Sequence, residues 1–299
     1  MRLGGVALAL GVVGVGCGGH SAGGSAPAQA PPTPRTAVAA PASPPASTQG
    51  KDRSESAGAY QRACDLGSPR GCNDLGVMYM DGDGIAADAK RAVALFEKAC
   101  SAGFPMSCVN LGSALESGSG AAQNASRAAQ LYDRGCNAGI GLGCNNLGNM
   151  VYSGEGAPKD GARARALYEK ACGLDHSMGC VNLASMLDSD GASQADLARA
   201  AELYRKGCDR EIALGCSGVG SMHLRGVGVD KNTQVGLDYY ASACRLDAKT
   251  GCYLYGLALV RGVGVTPDLK AAKPLLDKAC KLGHAEACAE LGDVLSRFH

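Results

Sequence analysis

From residue 58 onward, apolar side chains recur at helical rather than strand spacing. In the stretch CNNLGNMVYSGEGAPKDGARARALYEKACGLDHSMG, residues 144–179, Leu147, Met150 and Val151 fall three or four apart, the period that lines one face of a helix. Gly154 and Gly156 follow and end that helix. A second run through Ala162, Ala166, Leu167 and Ala171 has the same period and closes near Cys172. The stretch predicts helix, turn, helix. The same phrase returns every 36 residues in six units opening at Cys72, Cys108, Cys144, Cys180, Cys216 and Cys252, after a half unit ending in Cys64 and before CAELGDVLSRFH. A fixed period without insertion or deletion predicts one elongated repeat array, although 299 residues could hold two ordinary domains by length.

Within the units, certain columns are restricted to small residues. The fifth position reads Gly76, Gly112, Gly148, Ala184, Gly220, Gly256 and Gly292, and the residue before the first cysteine of each pair reads Ala63, Ala99, Gly135, Ala171, Gly207, Ala243 and Ala279. Such columns let helices approach closely. With no Trp and 4% aromatic residues, the core is expected to be built from Ala, Leu, Val and Met, with Met78, Met150, Met186 and Met222 among its members.

The cysteines sharpen the picture. After Cys17 they fall in seven pairs, each eight apart: Cys64 and Cys72, Cys100 and Cys108, Cys136 and Cys144, Cys172 and Cys180, Cys208 and Cys216, Cys244 and Cys252, Cys280 and Cys288. On one continuous helix such a pair would be separated by about 12 Å, beyond the roughly 7 Å that a disulfide spans between Cα atoms. A turn must lie between them, and Gly103 with Pro105, Gly139 with Gly141, and Gly283 supply breakers there. One cysteine then ends the second helix of a unit and its partner begins the next unit's first helix, so each bridge staples neighbours. Zinc is the other use of paired cysteines, but it favours shorter spacings, and no histidine recurs at a fixed offset. Regular pairing points to disulfides in an oxidising compartment.

The N-terminal stretch MRLGGVALALGVVGVGC carries Arg2, then an uncharged run from Leu3 to Val15, then Gly16-Cys17. It has the order of an export signal and is too short to span a membrane. Small residues before the lone Cys17 resemble a bacterial lipobox, with Gly14 where Leu is usual; an ordinary cleaved signal and an uncleaved anchor are the other readings. We expect 1–16 to be a lipoprotein-type signal peptide with Cys17 lipidated, and 17–57, rich in Pro, Ala, Ser and Gly, to be a disordered tether. Loss of residues 1–16 removes Arg2 from 29 basic residues and no acid from 28, so the mature chain has zero formal net charge. Nucleic acid is therefore an improbable partner.

On these residues, the units from 58 to 299, such as CNDLGVMYMDGDGIAADAKRAVALFEKAC, resemble the Sel1-like repeat, a relative of the tetratricopeptide repeat. The paired cysteines resemble the cysteine-rich Hcp-like branch. The resemblance implies an all-α fold, a right-handed solenoid whose first helices line a concave surface, a secreted or periplasmic home, and protein–protein interaction. It also implies an alternative, because some members are described as binding penicillin-like compounds and slowly hydrolysing β-lactams. Departures from the pattern are Ala184, Asp190 and Ala192 in one unit and Val235 and Gly236 in the next, where turns or packing should be perturbed.

Candidate chemistry is sparse. No serine has lysine three residues later, as a serine β-lactamase would need. KTG at 249–251 and SDG at 189–191 are short and distant, so we assign no catalytic residue, metal or cofactor. Among the histidines, His176 and His284 are expected in solvated turns, and His223 on an apolar face, packed and hydrogen-bonded. A polar row on the first helices is more promising: Asn110 with Ser113, Asn146 with Asn149, and Asn182 with Ser185. Each pair is three apart, so it shares a face that the repeat aligns into a ladder. Amides of this kind suit gripping an extended peptide, and equally suit capping or inter-repeat bonding. The leading expectation is an exported scaffold holding a protein or peptide in the bacterial envelope, with a β-lactam or peptidoglycan-like ligand as the alternative and membrane contact only through an N-terminal lipid.

Overall fold

The structure is a computed structural model that describes residues 46–297, with side chains from Arg53 on. The expected signal 1–16, Cys17 and the tether before residue 46 lie outside the described residues. Among those described there are fourteen α-helices and no strand: α1 (Ala46–Asp65), α2 (Pro69–Asp81), α3 (Ala89–Ser101), α4 (Pro105–Ser117), α5 (Ala125–Asn137), α6 (Gly141–Ser153), α7 (Gly161–Gly173), α8 (Ser177–Leu187), α9 (Gln194–Asp209), α10 (Ala213–Arg225), α11 (Thr233–Arg245), α12 (Lys249–Arg261), α13 (Leu269–Lys281) and α14 (Ala285–Ser296). Even-numbered helices are the first helices of units and odd-numbered ones the second. One expectation needs correction, since α1 reaches back to Ala46 and residues 46–57 are helical rather than tether. The reason is local: Pro45 is the last proline of that segment, and Ala57 is buried against the cluster of Leu75 and Met78.

The turns follow from the glycines. Gly154 caps α6 at φ 85°, with its N–H donating to the Met150 carbonyl at 2.9 Å; this left-handed conformation strains any residue with a Cβ. Second helices begin at side-chain caps, for example Asp88 accepting from the Arg91 N–H and Asn124 from the Arg127 N–H. In the unit with Asp190 and Ala192 the pattern breaks as expected. There α8 stops after 11 residues at Asp188, which lies at φ −88°, and α9 starts from its Ser193 cap and runs for 16 residues.

The seven cysteine pairs are all bridged, with Cα–Cα distances of 4.4 to 4.8 Å. Each bridge joins the end of a second helix to the first turn of the following first helix. A basic side chain from one unit on reinforces several of these corners: Lys98 Nζ donates to the Cys64 carbonyl at 3.1 Å, Arg134 to Cys100 at 3.2 Å, and Lys278 to Cys244 at 2.7 Å. These contacts place positive charge at helix C-termini, where the dipole favours it.

Four units close by pressing an aromatic ring from the second helix onto the small fifth position of the first, and the unit opening at Cys252 uses Leu276 on Gly256 instead. Rings of Phe96, Tyr132, Tyr168 and Tyr240 lie over Gly76, Gly112, Gly148 and Gly220. First helices of adjacent units also touch directly, α6 with α8, α8 with α10, and α12 with α14.

Candidate functional site

The polar row lies on the first-helix layer, with Asn110, Asn146 and Asn182 half-buried and Ser113, Asn149 and Ser185 exposed. None of these residues caps a helix. The first helices α4, α6, α8, α10, α12 and α14 have Phe104, Ile140, His176, Ile212, Ala248 and His284 at the cap position, with no side-chain cap bond. Inter-repeat bonding is the role observed. Asn110 Nδ2 donates to Asn73 Oδ1 at 3.0 Å, and Ser107 Oγ, fully buried, donates to the same oxygen at 2.8 Å. One pair of units further on, Asn182 Nδ2 donates to Asn145 Oδ1 at 2.8 Å and to Asn149 Oδ1 at 3.3 Å.

A tyrosine column completes the network. Tyr168 donates its hydroxyl to Asn149 Oδ1 at 2.8 Å, and Tyr132 to Glu116 Oε2 at 2.5 Å, with Asn146 and Ser113 near enough to the Tyr132 hydroxyl to temper its shift. Ser185 stands by the Tyr204 hydroxyl and Ser221 by that of Tyr240, each opposing the upward shift that burial causes. Burial pushes the Tyr168 phenol up to about 12, with the nearby Tyr152 adding to it, and burial followed by Glu116 raises Tyr132 further. These phenols stay protonated and act as fixed donors.

Sequence reasoning missed the buried members of this network, Asn73, Ser107 and Asn145, and the tyrosines beneath it. The signal was present: Phe96, Tyr132, Tyr168, Tyr204 and Tyr240 all stand 24 positions after the first cysteine of their units. Two further expectations are corrected. His176 is half-buried, with its basicity lowered by that burial, and His284 stacks on Tyr253 at 4.2 Å, so neither sits in a solvated turn. Both fill the cap position of a first helix, which is Ser68 in α2 and apolar in α4, α6, α10 and α12. His223 is packed as expected, with Nδ1 3.1 Å from the Asp230 carbonyl oxygen and its ring stacked near Tyr239. KTG opens α12 and SDG follows α8, with the unit of α10 between them.

Exposed features on the first-helix layer complete the surface. Tyr152, 52% exposed, is three residues from Asn149, and Val77, 38% exposed, occupies in its unit the position that Asn149 holds. A cleft of about 340 Å³ opens between α2 and α4, lined by Val77, Met80, Asp81, Phe96, Asn110 and Ser113 among others. On the opposite layer, a cleft of about 370 Å³ between α3 and α5 has three cations, but Lys98 and Arg134 already bond helix carbonyls and Arg127 pairs with Glu97.

The Sel1 repeat pattern matches residues 69–104, 105–140, 141–176, 177–211, 213–247 and 250–284, each one first helix, one second helix and the turn after it. The chain belongs to the Sel1 repeat family. No curated protein sequence matches it. Among solved structures, a Sel1 repeat protein from Oxalobacter formigenes superposes with a TM-score of 0.68 at 19% identity, over 78% of this chain and 95% of that one. The protein c5321, a protective antigen of uropathogenic Escherichia coli with the same repeat fold, has a TM-score of 0.57 at 25% identity, over 81% of this chain and 60% of its own. Helicobacter pylori cysteine rich protein B is 30% identical over 44% of this chain and 96% of its own, with a TM-score of 0.37. This is therefore a Sel1 repeat scaffold of the type that mediates protein interaction. Its seven disulfides suit an oxidising, extracellular compartment, and no helix among the described residues is long and apolar enough to cross a membrane.

Proposed function

We propose that the first-helix face binds an extended peptide or protein segment in the bacterial envelope. The observation that carries this reading is the state of the amide ladder. Inter-repeat bonds use the Nδ2 donors of Asn110 and Asn182 and leave their Oδ1 acceptors without a partner among the described residues. Asn149 is the converse, with Oδ1 accepting from Tyr168 and Asn182 and Nδ2 free. Fixed acceptors and donors on successive repeats can take N–H and C=O groups several residues apart on an extended backbone, and they are already ordered before binding. Tyr152 supplies an exposed aromatic contact beside them. Export through residues 1–16 and a lipid on Cys17 would hold the scaffold at a membrane; the bridged cysteines and the order of basic, apolar and small residues before Cys17 support this.

Replacing Asn146, Asn149 and Asn182 by Ala is a poor test, because the same groups hold neighbouring repeats together. Tyr152→Ala avoids that difficulty, since the ring is exposed. Peptides selected from a random display library on the oxidised full chain should bind the Tyr152→Ala protein at least tenfold more weakly while its melting temperature stays unchanged. Failure to enrich any peptide, or equal binding by the variant, would overturn the reading.

A further inference from the structure

The first-helix layer is not electrically uniform along the stack. Helices α10 and α12 end in Arg225 and Arg261, which supply their own cations to the negative ends of those helix dipoles. Helices α2 and α4 carry no basic residue in their last turns, and the cleft between them lies at those two ends, with Asp81 the last residue of α2 and Ser117 the last of α4. Asp81 is exposed and has no ion pair or hydrogen bond among the described residues, unlike Asp83 beside it, which pairs with Arg53. Glu116 does not line the cleft, and its carboxylate accepts from the Tyr132 hydroxyl, so Asp81 is the one carboxylate there. No Lys or Arg lines the cleft. Its other surfaces are apolar or uncharged: Val77, Met80, Phe96 and Ala114, with the Asn110 amide and the Ser113 hydroxyl.

An unpaired carboxylate at converging helix C-termini above an apolar wall has the chemistry of one kind of occupant. A lysine or arginine side chain lays its methylene stem on apolar surface and keeps its charged head on polar groups. A neutral aliphatic side chain would cover Asp81 without meeting its charge, and an anion would meet that carboxylate and two negative dipole ends.

We propose that the α2–α4 cleft is a specificity pocket for a basic side chain, lysine or arginine, of the peptide docked along the first-helix face. This deepens the peptide-binding reading and rests on it. Asp81 receives the cation and Met80 and Val77 receive the stem.

The test uses the oxidised full chain with isotopically labelled methionine methyl groups and two small probes, Nα-acetyl-lysine N-methylamide and its norleucine counterpart, which lacks only the charged amine. The lysine probe should shift the Met80 methyl resonance saturably at millimolar concentration, with the norleucine probe at least tenfold weaker. Asp81→Asn should abolish that preference and leave the remaining methionine resonances in place, which shows the variant folded. No saturable shift, or equal shifts with both probes, overturns the pocket. Display selection separates this failure from that of the wider reading: peptides that bind through Tyr152 without a lysine or arginine sensitive to Asp81→Asn would retain the binding face and eliminate the basic-side-chain pocket.

Discussion

At the residue scale, the fifth position of each unit shows how a column of small side chains acts. A Cβ added at Gly148 would lie 2.6 Å from Tyr168 Cε1, and that ring is tied down onto the same helix by its hydroxyl bond to the adjacent Asn149. It has little freedom to retreat. Gly148→Ala should therefore destabilise the protein by roughly 1–3 kcal/mol, the usual cost of overpacking a fitted core. Gly292 occupies the same column in α14, yet nothing lies within 4 Å of an added Cβ. There the only large effect is the lower entropy of the unfolded chain and the better helix propensity, so Gly292→Ala should stabilise by about 0.5–1 kcal/mol. Denaturant unfolding of the two variants beside the parent checks the opposite signs, and equal shifts would refute the ring-on-glycine account. The column was visible in the sequence as a run of Gly and Ala; what pressed on it was not. Pairing Gly148 with Tyr168 requires knowing that the two helices of a unit fold back on each other in one register, which a list of positions does not contain.

Helices and the turns between them were the most legible level, because a helical period, a glycine stop and a cysteine pair repeat together in five of the six units. The unit opening at Cys180 is informative because it departs from the pattern. Where other units have glycine contacting the preceding unit, as Gly156 does at Ala125, this one has Ala192, and the corresponding Gly161 has nothing within 4 Å of an added Cβ. The turn has drawn away and α8 is short. A partial replacement comes from Asp188, which takes two hydrogen bonds from Arg225 Nη2 at 2.8 and 2.7 Å, an anchor to the next unit that the sequence pattern did not announce. Ion pairs of this sort depend on which side chains meet across 37 residues, so periodicity is silent about them. Amides in 188–193 should exchange with solvent faster than those of the equivalent turns after α6 and α10, because local opening follows the loss of packed contacts. Hydrogen exchange resolved by peptide decides this, and protection equal to that of the Gly154 or Gly226 turn would contradict it.

At the scale of the whole molecule, each unit touches mainly its neighbours, so stability is closer to a sum of local interfaces than to one global core. The disulfides cross those interfaces. Each closes a small loop and stabilises by roughly 2.5 kcal/mol in the chain-entropy picture, with no expectation that seven such terms add. Their accessibility differs along the stack. Cys288 is exposed and Cys280 half-buried at the C-terminal pair, Cys208 is half-buried beside buried Cys216, and both cysteines of the other five pairs are buried. Attack by an external thiolate requires access to a sulfur. Under mild reduction the Cys280–Cys288 bridge should open first and Cys208–Cys216 second, with the five buried pairs retained until units separate. Alkylation at timed intervals followed by peptide mass mapping reads the order. Because the first bridge to open joins α14 to α13 at one end, its loss should loosen the terminal helix and leave the interior units folded, whereas complete reduction should lower the melting temperature substantially. A central pair opening first would show that sulfur burial does not govern the sequence of events, and an unchanged melting curve after verified complete reduction would remove the bridges from any account of what holds the repeats together.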